Sequence, residues 1–187
     1  MINTTDRVKP KNLPARIARL EASTELFLVG IKQAFSDADE ERLAVTVREL
    51  RSVPGALESA ARLFKSRPDD STFRWGIAYL ASKVGSPGTA AWLTRIALEK
   101  LPDTGHGDGC ESPRDGEVLV RVMAVEGLGQ LVDSEGAKVV KEALTKIVAG
   151  QPDPAIQSAG VVQLVRLDPQ ARTKTPPDAS EPPQALR

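Results

Sequence analysis

The chain has 187 residues, with 25 Lys+Arg against 25 Asp+Glu, no formal net charge, 41% hydrophobic and only 4% aromatic residues. It is too apolar to be wholly disordered, its single cysteine excludes an internal disulfide framework, and no uncharged apolar run reaches the ~18–20 residues of a membrane span. Neutral charge gives no support to broad polyanion binding, and the start MINTTDRVKPKN has no apolar leader core, so a cytoplasmic location is expected.

Residues 1–12 are polar, with Arg7, Lys9 and Lys11, and read as a loose arm. Pro14 suits a first helical turn, where its missing N–H does no harm. Ile17, Leu20, Phe27, Leu28, Ile31 and Phe35 then recur at helical spacing. Ser36 and Asp37 offer an N-cap, and Glu40 completes a capping box. A second helix follows to about Ser52, with Leu43, Val47 and Leu50 on one side. Val53-Pro54-Gly55 breaks it.

Three segments then repeat one pattern: helix, short break with Pro-Asp, helix. The breaks are Pro68-Asp69, Pro102-Asp103 and Pro152-Asp153. Proline stops a helix and aspartate caps the next one. First helices are expected at 55–66, 88–101 and 136–149, and second helices at 71–84, 116–133 and 154–167. The second helices align residue by residue. Phe73-Arg74-Trp75-Gly76-Ile77 matches Val120-Arg121-Val122-Met123-Ala124 and Ile156-Gln157-Ser158-Ala159-Gly160. The offsets are 47 and 36, and a Gly-rich insertion at 104–113 accounts for the difference. Two helices per unit with a period in the 30s mark an α-solenoid.

Val120-Arg121-Val122-Met123-Ala124 … Leu128-Gly129-Gln130-Leu131 resembles the second helix of a HEAT-like repeat of the phycobilisome-lyase type. The resemblance spans about residues 54–167. It is weakest at 70–84, where Ile77 and Ser82 replace small family residues. It implies an all-α fold, a right-handed α-solenoid of about eight helices in one domain over 13–167. Residues 13–52 form either an N-terminal cap or a degenerate repeat. Residues 168–187, with five prolines and few large apolar side chains, read as a disordered tail.

The insertion at 103–114 holds Asp103, His106, Asp108, Cys110 and Glu111. One imidazole and one thiolate fall short of a zinc site, and glycines on both sides of His106 argue against a preorganised Cys–His pair. Gly105-His106-Gly107-Asp108-Gly109 lacks the ending of a phosphate loop. It reads as a surface insertion, and no metal or cofactor is expected.

Arg74, Arg121 and Gln157 share one repeat position. The resemblance implies a structural ladder there, with Asp69 or Asp70, Asp115 and Asp153 as partners. At about 100° per residue, Phe73, Ile77, Leu80 and Val84 form the core stripe of their helix. Trp75, Ala78, Tyr79 and Ser82 lie nearly opposite. Their counterparts are Val122, Val125, Glu126 and Gly129, then Ser158, Val161, Val162 and Val165. The resemblance puts this row on a concave surface. The groove is either open to a partner or covered by the N-terminal helices.

The expected function is non-catalytic: an adaptor or scaffold module binding another protein through Trp75, Tyr79, Val122, Glu126, Val162 and Val165. A phycobilin-lyase-like enzyme or enzyme subunit is the alternative the resemblance implies. A DNA-repair HEAT-like protein needs a basic concave face, which this chain lacks. Neither nucleic acid, nor a membrane, nor a small molecule is the expected partner.

Overall fold

The computed structural model describes residues 13–35, 40–103 and 113–168. The expected arm, the tail from residue 169 on, the N-cap residues Ser36 and Asp37 of the expected capping box, and the insertion residues His106, Asp108, Cys110 and Glu111 lie outside the described residues. The described chain is all helical, with no strand: α1 (Leu13–Ala34), α2 (Glu40–Ser52), α3 (Ala56–Ser66), α4 (Ser71–Val84), α5 (Thr89–Leu98), α6 (Pro113–Gly129), α7 (Val132–Glu135), α8 (Ala137–Gly150) and α9 (Pro154–Leu167).

Local chemistry sets these boundaries. Asp70 caps α4 by accepting the Phe73 N–H at 2.9 Å. Asp153 caps α9 through the Ala155 N–H at 3.0 Å, with Pro154 in the first turn. The cap of α4 is therefore the residue after the Pro68-Asp69 pair. Gly85 ends α4 at φ 62°, donating to the Ala81 carbonyl. The expected helix over 116–133 stops at Gly129 instead. Gln130 and Leu131 donate to carbonyls three residues back, a tightened turn that starts the short α7.

Three helix pairs follow the repeat pattern: α3 packs on α4, α5 on α6, and α8 on α9. The second helices form a row, with α4 against α6 and α6 against α9, while α5 meets α8. At the other end α1 packs on α2, α3 and α4. All four members of the expected α4 core stripe are buried: Phe73, Ile77, Leu80 and Val84. They join one continuous core with Phe27, Leu50, Leu93, Ile96, Leu128, Leu144, Ile147 and Ile156.

Small residues let the row close up. A Cβ on Gly127 would lie 2.8 Å from Ser82 Cβ, so α6 and α4 touch nearly backbone to backbone there. On the opposite side of α4, Gly76 faces Ile31 and Phe35, and Leu80 faces Gly30 of α1. A buried hydroxyl contact between Ser23 and Ser59 fixes α1 against α3. Arg51 donates to the Val84 carbonyl at 3.2 Å and ties α2 to the end of α4.

Candidate functional site

Trp75 and Tyr79 lie one turn apart on α4, about 160° from the core direction set by Ile77. Their rings stack, with centroids 5.4 Å apart and planes 7° from parallel. Phe35, at the end of α1, meets Trp75 with centroids 5.6 Å apart. Lys83 Nζ lies 5.4 Å from the Tyr79 ring centroid on the other side. This gives a continuous row, Phe35–Trp75–Tyr79–Lys83. Trp75 and Tyr79 are half-buried, while Phe35 keeps 50% of its surface exposed. The N-terminal helices therefore flank the aromatic pair without sealing it.

A cavity of about 210 Å³ opens beside this row, lined by Phe35, Ser71, Thr72, Trp75, Gly116 and Leu119. Leu119 of α6 is 61% exposed at its edge. Sequence reasoning placed Phe35 in the core pattern and passed over Leu119. The signal for Leu119 lies in its position one residue before the buried Val120 of α6.

The remaining expected face residues divide. Val122 is half-buried and Glu126 exposed on α6, and Val162 and Val165 of α9 are exposed. Ala78, Ser82 and Val125 are buried. A helix in a packed row uses the positions about 100–140° from its core direction to touch its neighbour. That geometry takes these three out of the surface and into the helix–helix contacts.

The polar positions also regroup. The arginines at the shared repeat position converge on Glu117 in the first half of α6, not on the aspartates expected from the resemblance. Arg74 and Arg121 each pair with one oxygen of the Glu117 carboxylate. All three side chains are about nine-tenths buried or more. Arg121 also donates to the Glu99 carbonyl at 3.0 Å and the Lys100 carbonyl at 3.1 Å, closing the end of α5. Arg74 reaches the Pro68 carbonyl at 3.3 Å, and its guanidinium lies 4.3 Å from the Phe64 ring centroid. Asp70 is instead the α4 cap. Asp153 pairs with Arg114 at 3.4 Å, and Gln157 donates to the Val148 carbonyl at 3.4 Å. The sequence carries only a partial signal for Glu117: it lies one turn before Arg121, where opposite charges meet on a helix, but nothing local ties it to Arg74.

This cluster borders a larger cavity of about 650 Å³, also lined by Asp69, Lys100, Pro102 and Pro113. Its charges are mixed, and its two arginines are engaged by Glu117 and backbone carbonyls. That arrangement joins elements rather than presenting a free cation to an anion. Among the described residues no three His, Cys, Asp or Glu side chains group as metal ligands. No described helix is long and apolar enough to cross a membrane.

In fold class, then, the described chain is all-α. No family model matches it, and neither a curated protein nor a solved structure does.

Proposed function

We propose that the chain is a HEAT-like helical-repeat module that binds a partner protein, without catalysis, on the outward face of α4, α6 and α9. The helix pairs and the α4–α6–α9 row support the α-solenoid reading of the repeats. One observation carries the binding site: the stacked Trp75–Tyr79 pair, half-buried beside an apolar cavity with Phe35 and Leu119 at its rim. Tryptophan and tyrosine anchor interfaces because they bury much surface at little conformational cost. A cavity of about 210 Å³ suits one apolar side chain of a partner better than an extended ligand. Glu126 lies exposed on α6, and Val122, Val162 and Val165 extend the face toward α9.

The test is Trp75→Ala and Tyr79→Ala. Both are expected to weaken partner binding while the helical circular dichroism signal is kept. Unfolding of both variants would make the rings core elements and remove the proposed face.

A further inference from the structure

The row α4–α6–α9 has two ends, and they are finished differently. Within the row, the same side of each helix meets the next. Ala78 and Ser82 of α4 turn toward α6, where Gly127 meets Ser82. Val125 and Gly129 of α6 turn toward α9, where Gly129 meets Gln163. Ala78 and Val125 are fully buried as a result. In register, the matching α9 residues are Val161 and Val165. Among the described residues no further helix packs on them, and they stay 47% and 37% exposed, with Val162 beside them at 48%. The opposite end is closed, because α1 lies on the other side of α4 through Gly30, Ile31 and Phe35.

We propose that this face of α9 is a homodimer contact, with α9 packed antiparallel on α9 of a second copy across a two-fold axis. The side of α9 that is bare is the side that receives a helix at each earlier step of the row. A head-to-tail copy has no free counterpart, since α1 already occupies the far side of α4. Back-to-back pairing remains, and it closes rather than polymerises. A two-fold axis sets like residues near each other, so a self-pairing face must carry little charge. Helix α9 meets that condition: Arg166 is the one charged residue among its 14. Helix α8, by contrast, presents Lys138, Lys141 and Lys146 to solvent. Val161 sits at the middle of α9, so the axis passes beside it. The contact takes Val162 and Val165, the outer end of the face proposed above, and leaves that face's aromatic anchor on α4 free.

Sedimentation equilibrium of the full chain, from about 5 to about 500 µM, tests it. The wild type is expected to approach twice the chain mass of 20.0 kDa as concentration rises. Val161→Arg is expected to stay monomeric with an unchanged circular dichroism spectrum. Leu119→Arg, a charge placed on an exposed apolar site away from α9, is expected to dimerise like the wild type. A wild type that stays monomeric overturns the proposal. So does a Val161→Arg chain that self-associates normally, or a Leu119→Arg chain that loses association equally. Should Val161→Arg lose helicity, Val161→Cys in a Cys110→Ser background decides. A disulfide-linked dimer under mild oxidation is expected, and its absence counts against the α9 contact.

Discussion

Glu117 is one carboxylate serving two guanidiniums, so its replacement is the sharpest test of how the middle of the molecule is held. Glu117→Gln keeps the volume and one acceptor oxygen but removes the charge. Arg74 and Arg121, with side chains 10% and 3% exposed, are then left as buried cations. Removing one partner of a buried ion pair costs about 3–5 kcal/mol, mostly from the uncompensated charge. Here the lower end applies. Arg121 keeps its carbonyl acceptors at Glu99 and Lys100, and the half-exposed Glu99 carboxylate lies 3.9 Å from Arg74. The expected loss is about 3 kcal/mol in urea unfolding followed by circular dichroism. For a chain of this size that is a fall in Tm of roughly 6–12 °C. Glu117→Asp, which keeps the charge but shortens the reach, is expected to fall between the two. A Glu117→Gln chain within about 0.5 kcal/mol of wild type would refute the reasoning, because the arginines would then be stabilised without the carboxylate.

Two further changes probe the frame around the site. Asp70→Ala removes the N-cap of α4 and is expected to cost about 1 kcal/mol, read from the same urea curves. Leu80→Ala opens a hole where α4 meets Gly30 of α1, and a fully buried leucine at such a contact is expected to cost about 2–5 kcal/mol. Thermal unfolding that leaves Leu80→Ala unchanged would mean that α1 does not depend on this contact.

The second helices were legible because their burial is periodic. Phe73, Ile77, Leu80 and Val84 point one way in the sequence and are buried together. The Trp75–Tyr79 pair was legible for the same reason, being one turn apart on the opposite side. What escaped depends on lateral packing. Ala78, Ser82 and Val125 look outward on an isolated helix, and only the neighbouring helix turns their positions into buried contacts. Glu117 escaped because the carboxylate pairing Arg74 lies 43 residues away and belongs to the next helix pair. The end of α6 escaped as well. Nothing in Leu128-Gly129-Gln130-Leu131 forbids another helical turn, and the three-residue hydrogen bonds that end it arise as the chain turns into α7 and α8.

The most direct measurement for the central claim is quantitative affinity purification of the full chain from its native cell, in three forms. These are wild type, Tyr79→Ala and Asp70→Ala, the last serving as a control for a general loss of stability. A face centred on the aromatic pair requires that a specific partner recovered with the wild type is lost with Tyr79→Ala and kept with Asp70→Ala. Equal recovery with wild type and Tyr79→Ala, at matched helicity, would contradict it.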